Sequence, residues 1–341
     1  MIVSKRVQFK LVGLAAALAM GLASASAIAA DITGAGATFP YAVYTKWAEA
    51  YKAATGNQVN YQGIGSSGGV KQIKAKTVDF AGSDAPMKEA DLDANKLVQF
   101  PTVMGAATIV VNLPGIQSGQ LKLDGPTAAE IFRGAITKWN DPKIAALNPG
   151  LKLPATAVTV AHRSDGSGTT YVFSNYLAKQ SMAFKRDVGA GNTVNWPVNA
   201  VGGKGNPGVA ANVQKIAGAI GYVDIADAMK NNMTFVALKN KAGNYIVPNQ
   251  KAVADAAGGA NFKVKGMAPD LLDQGHSNAW PITTATFALA YEKADPAKQK
   301  GVVDFFTWSL NNGQKMAEEL GFVALPDNVV KMVEAEMKNI K

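Results

Sequence analysis

Three short segments rich in glycine, serine and threonine constrain this chain most, because each runs directly into a predicted helix, and the second and third also follow a predicted strand. They are TGAGATFP at 33–40, GIGSSGG at 63–69 and RSDGSGTT at 163–170. Strands and helices alternate along much of the chain, which is typical of an α/β fold with a largely parallel sheet. The first turn of a helix presents unpaired N–H groups and a partial positive charge, so each segment is a candidate anion site.

Each segment has a simpler explanation as well. An ordinary helix N-cap accounts for any one of them alone, whereas three of them together favour anion binding. The second segment also matches the nucleophile elbow G-x-S-x-G of serine hydrolases, with Ser67 in the nucleophile position. A serine nucleophile needs a base, and the only histidines are His162 and His276. A secreted serine hydrolase that uses Ser67 therefore stays as an alternative.

Asp84 lies in the small-residue stretch FAGSDAP, directly after a predicted strand. An aspartate in such a place is commonly a turn or N-cap residue. If it faces a bound anion, its ionised carboxylate only accepts hydrogen bonds, so the anion must carry a proton to donate. Hydrogen phosphate carries such a proton and sulfate at neutral pH does not, so an aspartate here predicts selection between the two.

Arg163 ends the predicted strand AVTVAHR and stands at the start of the third segment. Its guanidinium can bind an oxyanion through two parallel hydrogen bonds. It can equally form a structural ion pair with Asp165, two residues further on. The residues alone leave both possibilities open.

The first residues have the pattern of a cleavable signal peptide. Lys5, Arg6 and Lys10 precede a short apolar stretch, and small residues occupy positions 27 and 29. We expect a signal peptide over 1–29 and export to the periplasm. The apolar stretch is shorter than the roughly 20 residues that a membrane span needs.

Composition excludes several other classes of protein. The chain has 341 residues, which favours two lobes over one core. It contains no cysteine and only two histidines, so neither disulfides nor a metal site is expected. Its net charge is +9, but the lysines are scattered, so a solvated surface is favoured over nucleic-acid binding. The stretch GGKGNP lacks the Ser or Thr that follows the lysine in a phosphate-binding Walker loop.

Three further predictions concern organisation. The extended segments 101–115 and 279–291 are candidate crossovers between lobes, so that the first lobe is discontinuous. Residues 240–265 are polar, rich in Ala and Gly and weakly periodic, which predicts a surface excursion. Thr127 and Glu130 have the spacing of a capping box and predict that a helix begins there.

The three segments, together with Asp84, resemble the periplasmic phosphate-binding proteins of ABC-type high-affinity phosphate transporters. The resemblance covers nearly all of the chain after the first thirty residues. Further motifs occur in the same order as in the family: VDFAGSDAP, KWNDP, LNPGLKLP, GGKGN, GAIGYV, WPIT and LPDNVV. The resemblance implies a two-lobed α/β fold of the type II, or flytrap, class. Each lobe would hold a mixed, mostly parallel sheet, with a hinge between them. Lobe 1 would comprise 30–105 and 283–341, and lobe 2 would comprise 106–282.

The resemblance also implies a set of phosphate ligands and three supporting residues. The implied ligands are Thr38, Phe39, Ser66, Asp84, Arg163, Ser167, Gly168 and Thr169. The implied supporting residues are Asp165, which is linked to Arg163, and Gly65 and Gly68, which shape the second segment. No cofactor and no metal are implied.

The implied function is that of a non-enzymatic receptor. Such a protein captures inorganic phosphate between its lobes and delivers it to the permease subunits of an inner-membrane ABC transporter, which work with an ATPase. It is expected to be a monomer and not to bind nucleic acid. Two alternatives remain: a receptor for another tetrahedral oxyanion such as sulfate, molybdate or arsenate, and a phosphate scavenger or adhesin that serves no transporter.

Overall fold

A computed structural model describes residues 31–341 of the chain. The predicted signal peptide lies outside the described residues and stays a prediction. Of the helices within 31–341, none is long and apolar enough to cross a membrane.

Strands and helices alternate through most of the described chain, as predicted. The strands are β1 Ile32–Gly36, β2 Val59–Gly63, β3 Phe80–Ser83, β4 Leu97–Val111, β5 Lys122–Leu123, β6 Thr159–Arg163, β7 Val201–Gly203, β8 Ala219–Asp224, β9 Thr234–Phe235, β10 Ala237–Lys239, β11 Tyr245–Ile246 and β12 Thr283–Tyr291. The helices are α1 Tyr41–Thr55, α2 Ser66–Lys74, α3 Glu89–Asn95, α4 Gly125–Phe132, α5 Pro142–Leu147, α6 Gly168–Gln180, α7 Met182–Asp187, α8 Gly205–Lys215, α9 Ile225–Lys230, α10 Gln250–Ala257, α11 Pro296–Asn312, α12 Gln314–Glu319 and α13 Asp327–Met337.

The main sheet is mixed, with parallel outer strands and an antiparallel centre. Its strand order is β2-β1-β3-β12-β4-β8-β6-β7, and β9 also pairs with β4. The pairs β1–β2, β1–β3, β6–β8 and β6–β7 are parallel, whereas β12 and β4 run antiparallel to their neighbours. A small second sheet has the order β11-β10-β5. The expected α/β class with a mixed sheet is therefore confirmed.

Strand β4 connects the two halves of the main sheet. All 15 of its residues are buried, as its largely apolar sequence predicts for a strand covered on both faces. It pairs with β12 as far as Ala106, and from Ala107 onward it pairs with β8. Pro101 cannot donate a hydrogen bond to a neighbouring strand, and the register between β4 and β12 shifts at this point through a bulge.

Two predicted helix starts are wrong. Helix α2 begins at Ser66, about four residues earlier than expected, so the GSSGG stretch forms the first turn of the helix itself. Helix α4 begins at Gly125, because the side chain of Asp124 accepts a hydrogen bond from the Thr127 N–H and is the N-cap. Glu130 therefore makes no capping box and instead pairs with Arg133 at 2.7 Å.

The predicted surface excursion at 240–265 is also wrong in part. Helix α10 lies within it and buries Ala252, Val253 and Ala256, and Phe262 packs in the main hydrophobic core. The backbone N–H of Trp280 donates to the Ala252 carbonyl in α10 at 2.9 Å. Small alanines form the buried face of α10, so the sequence shows only weak periodicity there.

Helix α11, near the C-terminal end of the chain, packs through an aromatic cluster against α1, β3 and β4. The Phe306 ring lies 5.1 Å from the ring of Phe80, 5.3 Å from that of Phe100 and 5.8 Å from that of Tyr44. All four rings are buried. Residues more than 200 positions apart in the chain therefore share one core.

We expect Phe306→Ala to lower the free energy of unfolding by about 3–5 kcal/mol, because it leaves a cavity among three aromatic rings. Phe306→Leu retains much of the apolar volume and should cost clearly less. Urea denaturation followed by tryptophan fluorescence measures both changes. A loss below about 1 kcal/mol for the alanine variant would contradict the central place of this ring in the core.

Candidate anion-binding site

The structure brings the three predicted segments together. Each contains the end of a parallel strand, and helix α1 begins just beyond the first segment, whereas α2 and α6 begin inside the second and third, at Ser66 and Gly168. The Ser67 N–H donates to the Gly166 carbonyl at 3.0 Å, and the Gly168 N–H donates to Ser66 Oγ at 3.0 Å. Within residues 31–341, no protein acceptor pairs with the backbone N–H of Phe39, Ser66 or Thr169. These N–H groups remain available to an anion.

Ser66 lies at the centre of this arrangement and is fully buried. Its Oγ accepts hydrogen bonds from the N–H groups of Gly168, at 3.0 Å, and Asp84, at 3.3 Å. A hydroxyl oxygen has two lone pairs and one hydrogen, so the Ser66 hydrogen is left to donate elsewhere. Gly65, just before it, has a φ of +88°, which favours glycine, and a Cβ there would collide with the Asp165 carboxylate.

Two glycines differ in how strictly the site requires them. A Cβ on Gly168 would collide with Ser66 Oγ and would meet the Asp84 side chain at 2.7 Å, so only glycine permits the close approach of the second and third segments. A Cβ on Gly68 would meet the Ile64 side chain at 3.1 Å, which a small shift relieves. The predicted supporting role of Gly68 is therefore local to the turn.

Asp84 follows β3 and is buried, with 1% of its surface exposed. Its Oδ1 accepts a hydrogen bond from Thr286 Oγ1 at 2.7 Å. Burial raises the pKa of Asp84 to about 7, although the Thr286 hydroxyl and the positive charge of Arg163 act in the opposite direction. The carboxyl group is therefore held in one orientation and titrates near neutral pH.

Arg163 and Asp165 form the ion pair that the sequence left open. Arg163 Nε lies 2.7 Å from Asp165 Oδ1 and Nη2 lies 2.5 Å from Oδ2, and the arginine side chain is 1% exposed. Burial opposes ionisation of Asp165, but hydrogen bonds and charge from Arg163 outweigh it and lower the pKa. The Gly205 N–H also donates to Asp165 Oδ1, at 3.0 Å. The remaining Nη1 of Arg163 faces Thr169 Oγ1, at 3.4 Å.

The other predicted ligands occupy the ends of the same helices. Thr38 Oγ1 accepts a hydrogen bond from the Asn206 N–H at 3.2 Å. The Phe39 side chain is buried against the ring of Phe322, with 5.7 Å between centroids, so only its backbone is available to a ligand. Ser167 is the N-cap of α6, because its Oγ accepts from the Thr170 N–H at 3.1 Å.

Among the residues that contact the predicted ligands, the sequence reasoning missed Asn206 and Thr286. Asn206 follows β7 and opens α8, and Thr286 lies in the middle of β12. A signal existed for Asn206, because VGGKGN has the same strand-turn-helix layout as the three predicted segments. No signal existed for Thr286, which reaches Asp84 across 202 positions of sequence.

The hydrolase geometry is absent from the described residues. Ser67 Oγ accepts a hydrogen bond from Asn192 Nδ2 at 3.1 Å. His162 Nδ1 lies 2.9 Å from the carbonyl oxygen of Arg163, and its ring stacks on Trp196 at 5.4 Å. His276 Nδ1 lies 3.9 Å from an Asp255 oxygen. Neither imidazole hydrogen-bonds to Ser67, so within residues 31–341 no histidine is placed as its base. Among residues 31–341 there is also no group of side chains that could hold a metal ion.

The fold and the convergent donor turns define a protein of the periplasmic-binding-protein class. A family model for the PBP superfamily domain matches residues 23–312. Solved structures support this fold. A high-affinity periplasmic phosphate-binding protein with bound phosphate has a TM-score of 0.72 at 22% identity, over 90% of this chain and 93% of that one. A phosphate-binding protein from Stenotrophomonas maltophilia has a TM-score of 0.71 at 20% identity, over 90% and 94%.

Curated relatives identify the family more closely. The phosphate-binding protein PstS of Pasteurella multocida is 49% identical over 312 residues, which cover 91% of this chain and 90% of the relative. PstS of Haemophilus influenzae is 48% identical over 310 residues, covering 90% and 92%. PstS of Methanocaldococcus jannaschii is 36% identical over 323 residues, covering 87% and 83%. The chain belongs to the PstS family of phosphate-binding proteins.

The raised pKa of Asp84 predicts a pH-dependent stability. In the unfolded chain the carboxyl group ionises near pH 4, whereas in the folded protein it stays protonated up to about pH 7. Asp84 therefore makes the free energy of unfolding fall as pH rises from 4 to 7, by on the order of 4 kcal/mol. In Asp84→Asn this decrease is removed, so the variant should gain stability relative to wild type as pH rises.

Urea denaturation of both proteins between pH 4 and pH 8, in buffers free of phosphate and sulfate, measures the difference. Parallel stability profiles for wild type and Asp84→Asn would show that the folded protein does not shift the pKa of this carboxyl group.

Proposed function

We propose that this chain captures inorganic phosphate in the cleft formed by the three segments. The observation that supports the proposal is that N–H and hydroxyl donors converge on one place. The buried carboxyl group of Asp84 borders that same place. Donors alone suit any tetrahedral oxyanion. A carboxylate among them suits only an anion that brings its own proton.

The proposed ligands are those implied by the sequence. Their backbone N–H groups and hydroxyls donate to phosphate oxygens, Arg163 adds a charged donor, and the carboxylate of Asp84 accepts from the phosphate O–H. The ligands are Thr38, Phe39, Ser66, Asp84, Arg163, Ser167, Gly168 and Thr169. Two of these groups also serve the protein itself, because the Gly168 N–H donates to Ser66 Oγ and Ser167 Oγ caps α6.

We further propose that the ligand lies between two lobes joined by a hinge, with lobe 1 formed by 30–105 and 283–341 and lobe 2 by 106–282. The change of partner along β4, from β12 to β8, supports a boundary near 106. The bonds from Gly168 to Ser66 and from Asn206 to Thr38 then join one lobe to the other. Phosphate favours the closed form, because only closure lets both lobes donate to one anion.

The membership of the PstS family supports the place of this protein in transport. We propose that it is exported to the periplasm and works as a monomer without catalytic activity. It delivers phosphate to the permease subunits of an inner-membrane ABC transporter, which act with their ATPase. Family membership favours this role over a hydrolase, another oxyanion receptor or a scavenger.

The carboxylate of Asp84 should reject sulfate, because a buried acceptor beside an anion without a proton is unpaired and repelled. In Asp84→Asn the amide can donate to sulfate and can still accept from phosphate. We expect the ratio of phosphate to sulfate affinity to fall by about a hundredfold or more at pH 8. Isothermal titration calorimetry with each anion measures this ratio.

Asp79→Asn is the matched control, because Asp79 lies just before the same strand and accepts from the Thr33 N–H near the start of β1, at the opposite end of that strand from Thr38 and Phe39. This variant should keep the wild-type ratio. An unchanged ratio in Asp84→Asn would show that the carboxylate does not select the anion. A wild-type protein that binds neither anion would overturn the proposed function itself.

A further inference from the structure

We propose that Asn206 is a positioning residue of the phosphate site. Asn206 holds the Arg163 guanidinium in place and occupies the Thr169 hydroxyl oxygen, so that this hydroxyl can only donate its hydrogen. This inference rests on the proposed function and deepens it. Asn206 is not among the proposed ligands. It acts on phosphate only through the groups that it contacts.

Asn206 is fully buried and uses its backbone and both ends of its side chain. Its Oδ1 accepts from Arg163 Nη1 at 3.1 Å. Its Nδ2 donates to Thr169 Oγ1 at 3.2 Å and to Asp224 Oδ2 at 2.6 Å. Its backbone N–H donates to Thr38 Oγ1 at 3.2 Å. One residue therefore connects three of the proposed ligands.

The neighbours of Asn206 fix which way its amide points. A guanidinium only donates hydrogen bonds, so the amide oxygen must face Arg163. The Asp224 carboxyl oxygen provides an acceptor on the other side, so the NH₂ group faces Asp224. Asp224 is itself held at the start of α9, where its Oδ1 accepts from the Asp227 N–H at 2.9 Å. A flipped amide would place two donors against each other at Arg163.

This orientation determines what the Thr169 hydroxyl can do. Its oxygen receives one N–H from Asn206 Nδ2 at 3.2 Å and a longer one from Arg163 Nη1 at 3.4 Å. With both lone pairs engaged, the single hydrogen of Thr169 is left to donate to the anion. A hydroxyl that is free to accept as well would gain less from binding phosphate, because it must first turn its hydrogen toward the ligand.

A double-mutant cycle tests the coupling between Asn206 and Thr169. We expect Asn206→Ala to weaken phosphate binding by about tenfold or more. In a Thr169→Val background, the fold-loss of phosphate affinity caused by Asn206→Ala should be at least about three times smaller than in the wild-type background. The reason is that the hydroxyl controlled by Asn206 is already absent. Calorimetric titration of phosphate into the four proteins gives the coupling.

The chain offers two matched controls. Asn206→Ala retains the backbone N–H that contacts Thr38, so a parallel cycle with Thr38→Val should be additive. Asn212→Ala removes an asparagine from the same helix whose Nδ2 donates to the Gly202 carbonyl at 3.2 Å, and it should leave phosphate affinity unchanged. A general disturbance of α8 would instead affect both controls.

A second substitution keeps the test informative if the alanine variant does not fold. Asn206→Asp has the same shape, but its second oxygen would accept the Thr169 hydrogen and turn it away from the anion. We expect weaker phosphate binding, again with a smaller loss in the Thr169→Val background. Circular dichroism and the unfolding midpoint show whether each variant is folded.

Three outcomes are distinguishable. The inference is supported if the wild-type protein binds phosphate and the loss of affinity on substituting Asn206 is smaller in the Thr169→Val background. Wild-type protein that binds phosphate, with Asn206 variants that bind equally well or with purely additive losses, overturns the inference alone. Wild-type protein that does not bind phosphate overturns the proposed function and this inference with it.

Discussion

A buried anion must be met by hydrogen-bond donors, and a hydroxyl group whose oxygen already accepts two hydrogen bonds has only its hydrogen left to offer. In this structure backbone and side-chain N–H groups occupy the lone pairs of the hydroxyls that border the site. Ser66 Oγ accepts from two backbone N–H groups, Thr169 Oγ1 from Asn206 and Arg163, and Thr38 Oγ1 from the backbone of Asn206. Because the oxygens of Ser66 and Thr169 each accept two hydrogen bonds, the hydrogens of these two hydroxyls are left to donate to an anion. Hydroxyl groups, which could otherwise either donate or accept, therefore serve as donors in this site.

The fold makes this arrangement possible because it brings distant segments to one place. The parallel strands β1, β2 and β6 end where α1, α2 and α6 begin, so helix N-termini and their free N–H groups meet there. The central antiparallel strands β12 and β4 join the two halves of the sheet, and β12 also supplies the hydroxyl that holds Asp84. Glycine at positions 65 and 168 allows the backbones to approach without a side chain between them.

The sequence predicts much of this site because its main features are local. A strand, a glycine-rich turn and a helix occur within about ten residues; Asp84 directly follows a strand and Arg163 ends one. The resemblance to phosphate-binding proteins then supplied a ligand set for those positions. Residues that act across the fold were missed. Thr286 reaches Asp84 from a strand far along the chain, and the role of Asn206 depends on four contacts that no spacing reveals.

Local reasoning also failed where two local signals compete. Asp124 and Thr127 are both good N-caps, and only the position of the helix in the fold shows that Asp124 is the one used. The buried face of α10 consists mainly of alanine, whose small side chains give a weak periodic signal although they pack in the core. In both cases tertiary packing decides between alternatives that the sequence leaves nearly equal.

The central claim is that donors from three segments and one carboxyl group surround a single phosphate ion. A crystal structure of the protein grown with phosphate and without sulfate tests it most directly. The account predicts one tetrahedral ion in contact with Ser66, Thr169 and Arg163, with a phosphate oxygen about 2.5–2.7 Å from an oxygen of Asp84. Phosphate bound elsewhere, or bound there with no oxygen within hydrogen-bond distance of Asp84, would contradict it.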